Sequence, residues 1–497
     1  MAPRDKTTTD EIPFGAMERP ESSSPSRGGE SSGASEGDAP RSKTRRSGRR
    51  RRRRRSEGAD AGEPRSSEGG EERRSESPKA REERPAGDAQ QGGEGQPRRR
   101  RRRRSRSRGS DGGGQRQEST EGGEPRAAST GAGMFVAEKG GFGTLRSADR
   151  QWIPAKQDIF VPQRLIQKYK LRDGSLIEGR ISKGKKYKFQ LDDVQKIDGE
   201  APRHWSNLKA FKGLTTVDPD FHYEVGDITD DVSMRVMDIL SPVGRGQRGL
   251  ITAAPRTGKT TLLRQFAKGI EEGYPEVHLM VLLVDERPEE ATDWRRSTGG
   301  QVFVSTSDEA PKNHVRLAEA VWKRCQRLVE LGEDVVLIID SITRLARAYN
   351  NHSGGTGRTM SGGLDSRAME RPRQIFGSAR NTERAGSLTI LATALIETGS
   401  RMDQLIFEEF KGTGNMELVL NRKLADRRIF PAIDIEKSGT RKEEKIVSSR
   451  RLKRINTLRR VLLRMNFIEA MELLSEKLLD VEKTDDFLQR FEVDPEA

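Results

Sequence analysis

Residues 248–263 read RGLITAAPRTGKTTLL, and this stretch decides the fold. The apolar run RGLIT passes through a short loop ending in Gly258, Lys259 and Thr260, and then into a helical pattern. A strand, a glycine-containing loop and a helix N-terminus make an anion cradle, because the loop N–H groups and the positive end of the helix face one point. In such a cradle Lys259 bridges the β- and γ-phosphates of ATP, and the Thr260 hydroxyl holds Mg²⁺. Ala253 stands where the general pattern asks for glycine.

Outward from this loop, VHLMVLLVDE, VVLIIDS and SLTILATALI alternate with amphipathic stretches. Continuous apolar runs of this kind are parallel strands covered on both faces by crossover helices, so the expected class is α/β. Asp340 closes one run, and Asp285, Glu286 and Arg287 close another. In open α/β sheets ligands gather at these carboxyl ends. Asp340 is thereby a candidate for the Mg²⁺ shell and Glu286 for the base that activates water. The pattern predicts a helix over 313–331 with Cys325 on its apolar face, a core residue rather than a nucleophile. The last fifty residues read as two helices with basic faces.

Ahead of this region, residues 134–212 carry short β-like runs between Gly, Asp and Pro turns: MFVAEKGGFGTLRS, DIFVP, SLIEGRIS and KKYKFQLDDVQKI. The texture predicts a small all-β barrel of about five strands, OB/cold-shock-like. Phe142, Phe160 and Tyr187 lie among Arg146, Lys185, Lys186 and Lys188. Single-stranded nucleic acid needs such a mixture, because bases stack on rings while the backbone follows positive charge. Gly141 and Gly143 flank Phe142 and leave the strand surface open for a base. Residues 213–229 read as a linker and 230–497 as the ATPase domain with its C-terminal helices.

The 497 residues hold 92 Lys and Arg against 77 Asp and Glu, a net charge of +15. Residues 1–133 contain 32 of the basic and 23 of the acidic residues, with Phe14 as their one aromatic. So little apolar surface cannot offset ordering entropy, and a long disordered tail is expected there. Its arginine runs at 49–55 and 98–104 suit sequence-independent contact with phosphates, competing with a merely solubilising role. One cysteine excludes a disulfide framework, and the five histidines have no metal-ligand spacing. No apolar run approaches the ~18 residues of a membrane span, and the N-terminus has no signal-peptide pattern, so a cytoplasmic protein without a membrane partner is expected.

GLITAAPRTGKTTLL, VDERPEE, IIDSITRLARAYN, EEFKGTGNMELVLNRKLADRRIFPAID and SGTRKEE, in this order, resemble the Rho family of bacterial transcription termination factors. The resemblance runs from about Met134 to near the C-terminus, and Ala253 is typical of that family. It implies a homohexameric ring of RecA-like P-loop ATPase domains that binds single-stranded nascent RNA, moves 5′ to 3′ and dislodges RNA polymerase among its elongation factors. It further implies that Gly244, Arg245, Gly246, Gln247, Arg248 and Gly249 line the nucleotide site together with Arg256, Thr257, Gly258, Thr261 and Arg287, and that Phe430 stacks on adenine. Arg441 resembles an arginine finger acting on the neighbouring subunit, with Arg428 assisting.

Two glycine-rich loops, GGTGRTMSGG at 354–363 and ETGSR at 397–401, match the family's central RNA loops, which makes Arg358, Thr359, Ser361, Gly362, Thr398, Gly399 and Arg401 candidate RNA contacts. In the barrel, Phe142, Arg146, Asp158, Phe160, Lys185 and Tyr187 match the primary RNA site, while Thr144 stands where an aromatic is common. One stacking platform is therefore missing, and the arginine-rich tail is a candidate to compensate with charge. The competing readings are a RecA-like or rotary ATPase acting on DNA or protein, and an RNA-binding protein that uses nucleotide only as a switch. The barrel argues against the first and Glu286 against the second.

Overall fold

The computed structural model describes residues 129–184, 187–352, 363–365 and 367–491. The arginine runs, Lys185, Lys186, Arg358, Thr359, Ser361 and Gly362 lie outside the described residues.

Five strands close a barrel in the order β1-β2-β3-β5-β4: β1 (Ser129–Ala137), β2 (Gly143–Arg146), β3 (Ile159–Val161), β4 (Leu176–Lys183) and β5 (Phe189–Ile197). β1 begins five residues before the change in composition at Met134, because its edge pairs antiparallel with β4, Ser129 beside Ile181. Helix α1 (Gln163–Tyr169) follows β3, and α2 (Pro202–Asn207) follows β5. Alternate residues point inward, so Phe135, Leu145, Val161, Ile177 and Leu191 fill the barrel. Outward-facing Met134, with Trp152 and Phe211, belongs instead to the core of the large domain.

That domain opens with β6 (Thr216–Val217), α3 (Gly226–Thr229) and α4 (Val232–Leu240). Its central units are β7 (Arg248–Ala253) and α5 (Lys259–Gly273), β8 (His278–Glu286) and α6 (Pro288–Ser297), β9 (Gln301–Thr306) and α7 (Pro311–Leu331), and β10 (Val335–Asp340) and α8 (Ile342–His352). Helix α9 (Glu370–Phe376) and β11 (Asn381–Thr382) lead to β12 (Leu388–Leu395), α10 (Arg401–Lys411), β13 (Met416–Leu420), α11 (Arg422–Asp426) and β14 (Gly439–Thr440). The seven-stranded sheet has the order β14-β13-β7-β12-β10-β8-β9. All its neighbours are parallel except β13 and β14. One apolar core fills each face, which is why β10 is buried along its whole length.

The four apolar runs of the sequence become β7, β8, β10 and β12, whose carboxyl ends share one edge. The helix expected over 313–331 is α7, and the Cys325 thiol within it is wholly buried and pushed up to about 12 by desolvation. Helices α12 (Ser449–Leu462), α13 (Phe467–Leu479) and α14 (Thr484–Leu488) close the chain. The expectation of two basic helices holds for α12 only: α13 exposes Glu469, Glu472 and Glu476.

Charge as well as apolar contact joins the barrel to α7. The Glu330 carboxylate, with no exposed side-chain surface, accepts from Arg172 and Arg327 at 2.6 Å each and from the Phe211 N–H at 2.5 Å. Arg324 pairs with Asp198 of the barrel, and Arg327 donates to the Asp173 carbonyl at 3.0 Å. At Gly174, whose φ is +90°, a Cβ would lie 2.5 Å from the Lys323 carbonyl, so the barrel seats directly on the α7 backbone.

Candidate functional site

Between β7 and α5, residues 254–258 form a loop in which Arg256 and Gly258 both take positive φ, 67° and 84°. Alternating backbone handedness turns successive N–H groups inward, the concave nest that anions occupy. The Thr257 hydroxyl donates to the Ala254 carbonyl at 2.8 Å and closes the loop on itself. Lys259 opens α5, and its Nζ lies 2.5 Å from Asp340 Oδ1, which also accepts from Thr393 Oγ1 at 2.8 Å. A phosphate has to draw that lysine off the aspartate.

Two buried carboxylate oxygens here have no protein partner: Asp340 Oδ2 and Glu286 Oε2. Leaving such acceptors dry is costly, so they fit a cation or an ordered water. Glu286 is 2% exposed, and burial raises its carboxyl above the usual carboxylate range. Its other oxygen receives the Arg287 N–H at 3.4 Å and lies 3.4 Å from the Arg344 guanidinium. The Thr260 hydroxyl lies 3.5 Å from Glu290.

The 254–261 segment, Glu286 and Glu290 line a cavity of about 560 Å³ with Arg287, Arg344, Leu395 and Thr398. A second cavity of about 400 Å³ shares Arg256, Thr257, Gly258 and Thr261 and is closed by Leu262, Leu420, Phe430 and Pro431. The Phe430 ring is 48% exposed, and a Cβ at Gly258 would touch it at 3.4 Å, so the ring lies against the phosphate loop with a face free for a base.

Arg344 and Glu290 were not among the sequence candidates. Arg344 stands four residues beyond Asp340, in the first turn of α8, and also donates to the Asp285 carbonyl. That spacing after a strand-end carboxylate was the available signal. Thr398, expected with RNA, lines the phosphate cavity and donates to Asp403 at 2.5 Å. Arg347 pairs with the same Asp403. Gly399 has φ 76°, and Arg401 lies exposed at the start of α10. The 397–401 loop therefore has one end among the nucleotide groups.

Gly244–Gly249 does not line the phosphate loop of its own chain. It leads into β7, of which Arg248 and Gly249 are the first two residues, and the strand's ~3.3 Å rise per residue puts roughly 16 Å between Gly249 and the loop and more for the residues before it. Its residues brace the opposite edge of the sheet. Gly246 N–H donates to Thr389 Oγ1 at 2.8 Å, Gln247 Nε2 donates to Asn415, and Arg248 donates to the carbonyls of Thr413 and Ala379. The Arg245 guanidinium lies over the Phe221 ring. Arg441 follows β14 at this same edge, exposed, with its N–H on the Asn415 carbonyl at 2.9 Å. Arg428, also exposed and at φ 64°, follows α11 at the phosphate-loop edge, so β13 separates the two arginines.

In the barrel, Phe142, Phe160 and Tyr187 converge from three separate segments. Phe160 and Tyr187 stack at 5.3 Å and 26°, and Phe142 stands 5.4 Å from Phe160. All three are half-buried. Gly141 turns the β1–β2 hairpin at φ 81°, and at Gly143 a Cβ would lie 2.3 Å from the Phe135 ring. Arg146 and Asp158 are 7% and 6% exposed. Arg146 pairs with Glu138 at 2.8 Å and donates to the Trp152 carbonyl, while Asp158 accepts from the Ala155 N–H and is raised by burial. Thr144, the strand partner of Phe160, is 4% exposed with its hydroxyl unpartnered.

The ATP synthase alpha/beta family, nucleotide-binding domain, matches residues 233–440, and the Rho termination factor, RNA-binding domain, matches residues 131–203. Fold, cavity and matches define a RecA-like P-loop ATPase joined to a small RNA-binding barrel. The chain is 47% identical over 364 residues to transcription termination factor Rho of Pseudomonas aeruginosa, covering 72% of this chain and 87% of that protein. It is 48% identical over 363 residues to that of Cereibacter sphaeroides (72% and 86%) and 46% over 365 to that of Escherichia coli (72% and 87%). The chain belongs to the Rho family of transcription termination factors. Among the described residues, no helix is long and apolar enough to cross a membrane.

Proposed function

We propose that this protein is an RNA-dependent ATPase motor that takes hold of nascent single-stranded RNA, moves along it and releases it from RNA polymerase, working in the cytoplasm as a homohexamer alongside elongation factors. The observation that carries the reading is a phosphate nest with a buried, partly unpartnered glutamate in the same compact unit as a barrel bearing three converged aromatic rings.

Lys259, Thr257, Gly258, Thr261 and Arg256 hold the phosphates, and Arg287 borders them. The purine fits between Phe430 and the apolar wall of Leu262 and Leu420. Thr260 and Asp340 would hold Mg²⁺, for which the free Asp340 Oδ2 is suited; a bound Mg²⁺ would neutralise charge on the β- and γ-phosphates. Glu286 takes a proton from water as its oxygen attacks the γ-phosphorus and the bond to the β-bridging oxygen breaks. Desolvation makes Glu286 a stronger base than a surface glutamate. Arg344 holds the Glu286 carboxylate in place.

Arg441 is too far along the sheet to serve its own phosphate loop. It completes the site of a neighbouring copy, as a head-to-tail ring requires, and the Gly244–Gly249 segment braces its edge. Arg428 assists from the phosphate-loop edge. Thr398 links γ-phosphate occupancy to the loop carrying Gly399 and Arg401, which with Arg358, Thr359, Ser361 and Gly362 grips RNA in the ring centre. Phe142, Phe160 and Tyr187 stack bases, Gly141 turns the hairpin that presents Phe142, Gly143 leaves room for the Phe135 ring beneath it, Arg146 and Asp158 meet base edges, and Lys185 adds charge.

The test is ATP hydrolysis by the full chain without nucleic acid, with C-rich single-stranded RNA, and with single-stranded DNA of equal length. Stimulation by RNA well beyond that by DNA is expected. Hydrolysis indifferent to RNA overturns the motor.

A further inference from the structure

A cavity of about 770 Å³ lies away from both sites, walled by α7, by α9 and by the segment that leaves the barrel. Six cations line it: Lys212, Lys323, Arg367, Arg371, Arg373 and Arg380. Glu370 is the one carboxylate in its lining. Arg371 and Arg373 are neutralised by Glu319 and Glu409, at 3.4 and 3.0 Å. Lys212, Lys323, Arg367 and Arg380 have no ion-pair partner among the described residues.

Two aromatic rings line the same cavity, but their faces are taken. The Arg380 guanidinium sits 4.4 Å from the Phe211 centroid and Lys323 Nζ 4.5 Å from that of Trp322, whose Nε1 donates to Ser378 at 2.9 Å. Burial pulls both Lys323 and Arg380 below their usual values. Asp173 and Glu319 offset part of that burial at Lys323, and among the described residues no carboxylate does so at Arg380; partly desolvated cations outside any ion pair gain most from an anion, and rings capped by cations leave no face for a base. The lining is therefore suited to a chain of phosphates rather than to nucleobases.

Position adds direction. Lys323 touches the barrel through its carbonyl at Gly174, and Phe211 and Lys212 stand at the barrel's exit, anchored by Glu330. On the far wall, α9 begins seven residues after the 354–363 segment. We infer that this basic cavity is an intermediate RNA site, which holds the phosphodiester backbone of single-stranded RNA between the barrel and the central loops. The inference rests on the proposed RNA motor and adds a third element to its RNA path.

The experiment uses the full chain with Lys212→Gln, Lys323→Gln and Arg367→Gln combined. Binding is followed by anisotropy for a C-rich RNA of about four nucleotides, the scale of a single barrel site, and for one long enough to reach the central loops. The short RNA should bind as before, while the long RNA weakens tenfold or more. Its log-affinity against log-salt slope should fall by about 0.7 for each phosphate that is no longer neutralised. A charge-preserving variant, with Lys212→Arg, Lys323→Arg and Arg367→Lys, should regain most of the affinity.

Long 4-thiouridine RNA should also crosslink wild-type protein within residues 211–212 or 367–380. Unchanged affinity and slope for long RNA, equal weakening of both RNAs, or crosslinks absent from these peptides would each overturn the inference; the first would favour an acidic protein segment as occupant. Wild-type protein whose hydrolysis ignores RNA would instead sink the motor itself.

Discussion

The two edges of the central sheet carry opposite kinds of chemistry. At the carboxyl edge, Lys259 is held to Asp340 at 2.5 Å and Glu286 to Arg344 at 3.4 Å, and one oxygen of each carboxylate still lacks a donor. At the amino edge, Gly246, Gln247 and Arg248 brace neighbouring strands, while the Arg441 side chain stands exposed. On the proposed reading, one edge binds and cleaves ATP but lacks a trans cation, and the other has the cation and nothing to cleave. In the proposed ring each edge would be half of a site, made whole by a neighbouring identical chain.

The largest expected effect comes from separating the halves. Arg441→Ala should lower kcat by about 10³ to 10⁵, the range for an arginine finger. Mixed into wild-type rings, it should depress activity beyond its own fraction. A proportional loss in that titration would place the arginine outside any shared site.

Within the carboxyl edge, Glu286→Gln should cost about 10² to 10⁴ in hydrolysis while ATP binding persists. The sign of the pH dependence follows from burial. Glu286 has a folded value raised above its unfolded one, so its contribution to stability is complete below the unfolded value and is lost as pH rises through the raised value. At neutral pH the ionised carboxylate therefore burdens the nucleotide-free fold, and the glutamine variant should melt higher than wild type there, with the gap closing in acid. Wild-type hydrolysis should fail, as pH drops, earlier than an ordinary glutamate would dictate. A variant that melts lower at neutral pH would contradict this.

Glu330→Ala probes the joint between barrel and sheet. It leaves Arg172, Arg327 and the Phe211 N–H without their buried acceptor, a loss of about 3–5 kcal/mol for a broken buried pair. Thermal melting should fall, and RNA stimulation of ATPase should fall more than RNA binding by the barrel. The smallest effect should be Phe160→Ala, which removes the central ring of the stack and costs about 1–3 kcal/mol of RNA affinity. Basal hydrolysis without RNA should not change, as measured in the same preparation.

The amino-acid sequence by itself determined the local chemistry of this protein. A phosphate loop between an apolar run and a helix, and acids at the ends of apolar runs, are written in contiguous residues, because parallel strands are buried on both faces and therefore stay apolar throughout. β9, β13 and β14 were not legible in that way. QVFVST is polar at both ends, MELVL is short, and the two residues of β14 are a strand only because β13 lies beside them.

Only the tertiary structure decided which distant groups meet. It brought Phe142, Phe160 and Tyr187 into one stack, set Arg344 against Glu286, and placed Thr398 beside the phosphate loop. It also moved Gly244–Gly249 to the far edge of the sheet, although those residues precede the phosphate loop by only a few positions. An extended strand converts a short separation in sequence into roughly 20 Å in space, whereas crossover helices and barrel closure bring remote segments together.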